Sequence, residues 1–306
     1  MNITLFVMQC LNGMQLGVLL FLMAAGLTLV FGIMNFVNLA HGSLYMAGAF
    51  VGALVYNTTS SFWLGVLAVI PSMLALGIVL ETLIFKRLYQ RDHLDQVLAT
   101  FGLILFFNEL TRMIWGPSPY YMEVPPALSG TVDLFGIPYP AYRLVIVAAG
   151  LAVALGCYLL IHRTRIGMLI RAGATHRAMV GALGVNITLL YSLVFGLGAV
   201  LAGMAGMLAG PILSVQPGMG EPVLILTMVV IVIGGIGSIR GAFLGALIVG
   251  VIDTLGRTLL PALLRSLFER GTADTAGPAL ASMLIYILMA VVLTLRPQGL
   301  FPVKHG

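Results

Sequence analysis

The chain has 306 residues, 60% of them hydrophobic and only 8% charged, with a formal net charge of +5 and a mean hydropathy of +1.09. Soluble domains carry about 25% charged residues, so the composition excludes a large water-soluble domain and describes a polytopic membrane protein. The positive charge is gathered in short loops between apolar segments, which argues against a nucleic-acid-binding surface.

A membrane span needs about 20 apolar residues. Nine segments meet or approach that length, at 9–31, 42–57, 62–85, 95–115, 141–162, 187–212, 222–238, 241–260 and 279–296. The second and seventh are short, as re-entrant or partly unwound segments would be. The expected fold is an all-α polytopic membrane protein of about eight to ten transmembrane helices, some broken or re-entrant. It should form a single transmembrane domain over residues 1–306.

No Asp, Glu, Lys or Arg precedes Glu81. Within that uncharged run lies a polar cluster, Gly32-Ile-Met-Asn35-Phe-Val-Asn38-Leu-Ala-His41-Gly42-Ser43. Amides, an imidazole and glycines between two apolar stretches predict a helix broken at membrane depth. Backbone groups freed there need protein partners or a water-lined cavity, because lipid offers none. Broken helices of this kind line the substrate sites of transporters, so Asn35, Asn38, His41, Gly42 and Ser43 are candidate pathway residues. The same side chains could instead only cap the two half-helices and bond one another. The chain lacks the basic n-region of a cleaved signal peptide, so the first apolar segment is expected to be retained.

Charge sets the orientation. Lys86, Arg87 and Arg91 occupy one short loop, and Arg163, Arg165, Arg171 and Arg177 another, while the 116–140 loop holds Glu123 and Asp133 and no base. The positive-inside rule places the basic loops in the cytoplasm and the acidic one outside. Arg296 and Lys304 then place the C-terminus inside, and an odd number of spans would leave the N-terminus outside.

The 161–186 segment differs from its surroundings. Thr175 is a plausible N-cap, Ala178, Met179, Ala182 and Leu183 fall on one helical face, and Gly184 suits a helix stop. A short helix with an apolar face outside the membrane either lies on lipid or docks a cytoplasmic partner. Further on, Gly198, Ala202, Gly206 and Gly210 recur every four residues, a spacing that lets membrane helices approach closely.

One phrase occurs almost twice. Gly48-Ala-Phe-Val-Gly-Ala-Leu-Val55 and Gly241-Ala-Phe-Leu-Gly-Ala-Leu-Ile248 agree at six of eight positions. Each follows a glycine-containing polar hinge, the second formed by Gly234, Gly235, Gly237 and Ser238. An internal repeat would place the two hinges beside a common pathway. With nine spans both copies would run in the same direction.

Enzyme chemistry is not visible. The only lysines are Lys86 and Lys304, neither after a glycine-rich phosphate loop. No Cys/His cluster has metal spacing, and no nucleophile has an adjacent base. Cys10 and Cys157 read as buried thiols, and the seventeen methionines as packing. Ionisable groups near the membrane interior mark proton or sodium carriers. Here Glu81 lies beside Lys86 near the basic surface, Glu109 has Arg112 and Asp253 has Arg257 at helical spacing, and only His41 is central. Energy for transport is therefore expected from another subunit. A proton-coupled secondary carrier using His41 is the weaker alternative.

The Gly32–Gly42 stretch, the pattern Arg171-Ala…Ala178…Gly184-Val-Asn186, and Gly234-Gly-Ile-Gly-Ser238…Gly241-Ala together resemble the LivH-type permease subunits of bacterial branched-chain amino acid ABC importers. The similarity runs through essentially the whole chain. It implies an inner-membrane, multi-pass permease that pairs with a LivM-type permease, two cytoplasmic ATPase subunits and a periplasmic substrate-binding protein. ATP would be bound by the partner subunits, with no cofactor in this chain. The 163–186 loop would be the coupling segment, with Arg171, Thr175, Ala178, Met179, Ala182, Leu183 and Gly184 at the ATPase. Many relatives have an acidic residue where this chain has Ser43, and proline where it has Arg240. The family also includes systems for urea, amides and other amino acids, so those solutes are the alternative to branched-chain or related amino acids.

Overall fold

The computed structural model of the chain describes residues 3–34, 36, 38–134, 136–175, 177–267 and 270–301, with side chains undescribed at 177, 178, 267 and 270–273. Asn35 and Lys304, which carry two of the expectations above, lie outside the described residues.

Helix α1 (Ile3–Met34) is the axis of the fold. It is uncharged and apolar on every side, and a helix of that kind must be covered on every side. Its most apolar stretch is 83% buried. α2 (His41–Thr59) follows, and Ser60, in a left-handed conformation (φ 53°), reverses the chain after it. The Ser61 hydroxyl accepts from the Leu64 amide to start α3 (Phe62–Leu88). That helix contains a π-turn over Glu81–Phe85. α4 (His93–Trp115) follows, then a loop holding a two-stranded antiparallel hairpin, β1 (Thr131–Leu134) and β2 (Ile137–Pro140). This hairpin departs from the all-α expectation. Its turn contains Gly136 at φ 85°, a conformation suited to tight hairpins.

α5 (Ala141–Arg163) returns across the membrane and is followed outside it by α6 (Arg165–Thr175) and α7 (Arg177–Ala182). α8 (Ile187–Ala209), the short α9 (Gly220–Gly234), α10 (Ile239–Leu267) and α11 (Arg270–Leu295) complete the chain. Among the described residues, seven helices are long and apolar enough to cross a membrane: α1, α3, α4, α5, α8, α10 and α11. With α2 and α9 they account for the nine expected segments, and the two short ones are the second and seventh.

The contacts assign each end to a face. Tyr191, at the start of α8, hydrogen-bonds the Ile33 carbonyl at the end of α1, and its ring meets Tyr89 at the end of α3. The amides of Leu300 and Phe301 donate to Ile233 and Gly234 at the end of α9. These ends therefore share one face, which carries both basic loops. Tyr142 reaches the Leu208 carbonyl on the opposite face, where Tyr120 pairs with Val215. The acidic 116–140 loop and the start of α1 lie there.

Close packing rests on small residues. A Cβ on Gly13 or Gly17 of α1 would lie within 3.0 Å of α10 backbone, and one on Gly26 would lie 2.7 Å from the Gly198 carbonyl oxygen of α8. A Cβ on Gly206 would meet the Tyr45 carbonyl oxygen of α2 at 2.0 Å. The Gly198–Gly210 stripe is thus a packing surface, as its spacing suggests. The repeated phrases are also contact faces. Gly48 lies on Gly203 of α8, and Gly241 and Gly245 lie on α9. α2 and α10 both run toward the acidic-loop face.

Candidate functional site: a junction of two half-helices

α2 begins inside the protein. Its first residue, His41, packs against Gly26, where a Cβ would stand 3.0 Å from Nε2. Gly26 lies eight residues before the end of α1, about 12 Å along the axis. α9 also begins inside: a Cβ on Gly220 would lie 2.0 Å from the Gly42 carbonyl oxygen. The two helices therefore start backbone to backbone. α2 leaves toward the acidic-loop face and α9 toward the basic face. Each N-terminus carries roughly half a positive charge, although the His41, Ser43 and Glu221 amides bond back to the preceding turn.

Gly42, Ser43, Gly220, Glu221 and Asn108 line a narrow crevice at this junction. Leu39, Met46, Ile104 and Leu224 form its apolar walls. Asn108, from α4, donates its side-chain amide to the Glu221 carboxylate. The crevice combines helix N-termini, which favour an anionic group, with a carboxylate, which favours a cationic one, and an aliphatic lining.

Of the candidate pathway residues, Gly42 and Ser43 line this crevice and Asn38 and His41 do not. Asn38 is completely buried, and neither of its side-chain atoms has a hydrogen-bond partner among the described residues. His41 is equally buried. The Met23 carbonyl acts on its ring, but neither nitrogen makes a hydrogen bond of normal geometry. Asn38 and His41 bond neither one another nor Ser43 among the described residues, which exclude Asn35.

Sequence reasoning missed Asn108 and Glu221. The signal was present for Glu221: an acid followed by Pro222 at the head of an apolar run is a helix start, and the seventh segment was already recognised as short. Asn108 had no signal, because its role depends on α4 crossing α2. Glu81 was read only as lying near the basic surface. It is completely buried, and the Ser192 and Tyr89 hydroxyls donate to it. The two other pairs stand as expected, Arg112–Glu109 at 2.9 Å and Arg257–Asp253 at 2.8 Å.

The hinge Gly234, Gly235, Gly237 and Ser238 forms a tight turn at the basic face, away from the crevice. Gly235 and Gly237 have φ of 107° and 81°, and the Ser238 hydroxyl accepts from the Gly241 amide to start α10. Gly237 lies against Gly32, so the turn abuts the end of α1 where the first break begins.

The sequence pattern of the family described as "Branched-chain amino acid transport system / permease component" matches residues 9–293. The chain belongs to this family. The permease is 27% identical to the high-affinity branched-chain amino acid transport system permease protein BraD of Pseudomonas aeruginosa, over 96% of this chain and 95% of BraD. It is 29% identical to the corresponding LivH protein of Salmonella typhimurium, over 83% and 87%. A more distant relative is the ribose import permease protein RbsC of Escherichia coli, 26% identical over 76% and 72%. No solved structure matches the permease.

On the basic face, the permease carries a second candidate surface. The Thr164 hydroxyl accepts from the Gly167 amide at 3.0 Å to start α6, and a Cβ on Gly167 would lie 2.2 Å from the Leu160 carbonyl oxygen. This corner folds α6 back against the end of α5. Thr175 does not cap α7: it is the last residue of α6, and its hydroxyl donates to the Arg171 carbonyl. Gly184 is the stop that was expected. It has φ 86°, its amide donates to Gly181, and the Val185 amide donates to Val180, the paired bonds of a glycine-ended helix. Met179 and Leu183 are 63% and 78% exposed, Ala182 and Arg171 are exposed, and the Ala178 side chain lies outside the described residues. Val180, by contrast, is buried and anchors α7.

Proposed function

We propose that the permease forms, with a second LivM-type permease, the membrane pathway of an ABC importer that moves branched-chain or related amino acids into the cytoplasm. The basic face is cytoplasmic in this reading, with the C-terminus, and the membrane is the bacterial inner membrane. The chain is not itself an enzyme and holds no cofactor. Two cytoplasmic ATPases bind ATP and dock on α6 and α7, where Arg171, Thr175, Ala178, Met179, Ala182, Leu183 and Gly184 lie. A periplasmic binding protein delivers substrate to the opposite face.

The observation that carries this reading is the junction of α2 and α9. An amino-acid zwitterion must leave water with both charges accommodated. The two helix N-termini suit its carboxylate, the Glu221 side chain suits its ammonium, and Leu39, Met46, Ile104 and Leu224 suit an aliphatic side chain. The crevice is narrow, so passage requires α2 and α9 to separate. The other pathway candidates, Asn35, Asn38 and His41, belong to the break that such a movement would open.

The test is isolation of the tagged permease from its native membrane in mild detergent, with identification of the co-purifying chains, followed by ATP-driven uptake of leucine in proteoliposomes. A second permease and ATPase subunits are expected, with uptake dependent on the binding protein. A permease recovered alone after cross-linking, or uptake driven by a pH gradient and indifferent to ATP, would overturn the reading.

Asn38 offers a sharper test. Leaving a buried amide unpaired is worth about 1–3 kcal/mol of instability, so Asn38→Leu should leave the melting temperature unchanged or raise it. Uptake should nevertheless fall several-fold while the subunits stay assembled. Normal uptake by this variant would remove Asn38 from the pathway.

A further inference from the structure

The π-turn of α3 does something that an unbroken helix would not. The Lys86 amide bonds back to the Glu81 carbonyl, five residues away, and Glu81 and Phe85 both face inward. π-turns of this kind occur frequently at functional sites. Beside the turn is a cavity of about 140 Å³, partly open at the basic face, lined by Glu81, Lys86, Tyr89, Ile187, Thr188 and Tyr191. Glu81 is completely buried, yet its nearest cation in sequence, Lys86, forms no ion pair with it among the described residues. The cavity thus presents a carboxylate and an ammonium that do not touch each other. The Glu81 carboxylate accepts from Ser192 and Tyr89, and a carboxylate has capacity for further donors.

The cavity also adjoins the broken segment. Phe36, in the break after α1, packs its ring 6.0 Å from Tyr89 and 5.3 Å from Phe85. Tyr89 in turn meets Tyr191 at 5.5 Å. The aromatic wall of the cavity is therefore continuous with the segment that must move if α2 is to move.

We propose that this cavity is an inner binding site for an amino-acid zwitterion, with Glu81 receiving the α-ammonium, Lys86 the α-carboxylate, and Ile187 with the two tyrosine rings the aliphatic side chain. The proposal rests on the amino-acid transport reading above and adds a second site on its cytoplasmic side. Substrate leaving the half-helix junction is held there before release.

The test uses the assembled transporter in nanodiscs without its binding protein, with tritiated L-leucine as the probe. Saturable binding is expected for the wild type. Glu81→Gln and Lys86→Gln should each weaken it at least about ten-fold, since each loses one charged hydrogen bond. Lys86 is exposed, so its variant reports on the site even if Glu81→Gln fails to fold. Leucinamide, which lacks the carboxylate, and 4-methylvalerate, which lacks the ammonium, should compete at least about ten-fold less well than leucine. A phosphatidylethanolamine headgroup carries the same pair of charges, so O-phosphoethanolamine is the control. Competition by it equal to that of leucine would assign the cavity to lipid and overturn the proposal. Absence of saturable binding, or unchanged binding in Lys86→Gln, would overturn it as well. ATP-driven leucine uptake by the same wild-type complex separates the two readings. Uptake without inner-site binding removes the inner site alone. Absence of uptake removes the transport reading and the inner site with it.

Discussion

Replacing Leu183 with Asp should strip the ATPase subunits from the permease while leaving its membrane helices folded. Leu183 and Met179 stand four residues apart at the end of α7 and are 78% and 63% exposed, whereas Val180 between them is buried. Outside the membrane, such side chains gain by being covered. Burying one in a packed interface is worth roughly 1.5–3 kcal/mol, or about 10- to 150-fold in affinity. An unpaired carboxylate placed there adds a desolvation penalty. The double variant with Met179→Asp should therefore lose more than about 100-fold in ATPase binding. The measurement is the ATPase-to-permease ratio after mild-detergent purification, beside the melting temperature of the membrane part. If α7 lies on lipid instead, the ATPases will stay bound in both variants.

Gly220→Ala should be among the most damaging single methyl groups in the described residues. Its Cβ would lie 2.0 Å from the Gly42 carbonyl oxygen and 2.5 Å from the carbonyl carbon, and neither is the tip of a flexible side chain. The reciprocal change, Gly42→Ala, would bring a Cβ within 2.6 Å of the Gly220 carbonyl oxygen. Forcing extra carbon into a packed interior is worth about 1–3 kcal/mol of instability, and a backbone-to-backbone contact belongs at the upper end. Either variant should lower leucine uptake more than about ten-fold and lower the melting temperature. Gly102→Ala is the control. Nothing lies within 4 Å of a Cβ there, and alanine is the better helix former by up to about 1 kcal/mol. Its uptake should match wild type. Equal uptake by Gly220→Ala and Gly102→Ala would mean that the two half-helices do not meet during transport.

The spans were legible because charge is scarce. Where no acid or base occurs for eighty residues, only a polar cluster can mark a boundary, and Asn38 and His41 marked it. The brevity of α9 was legible for the same reason, since its apolar run is simply too short. The partners of the break were not legible. Glu221 and Asn108 are separated by more than a hundred residues, and only the crossing of α2 by α4 brings them to one crevice. Glu81 does lie near the basic face with Lys86, but its burial was not legible, because it depends on the π-turn that directs it inward. α6 was missed for a local reason. Its glycines and threonine are poor helix formers, and Gly167 lets it lie close against the end of α5. The hairpin escaped notice because β2 reads Ile137-Pro-Tyr-Pro140, and prolines argue against a strand except at an edge.

The enclosure of α1 has a consequence for biogenesis. This helix is made before α8 and α10, yet it packs chiefly on them. Until they follow, its glycine faces have only lipid or an insertion chaperone to cover them. A chain halted after α5 would present Gly13, Gly17 and Gly26 as unfilled grooves, of the kind that membrane quality-control proteases can sample. α1 is therefore enclosed fully only once α8 and α10 are in place.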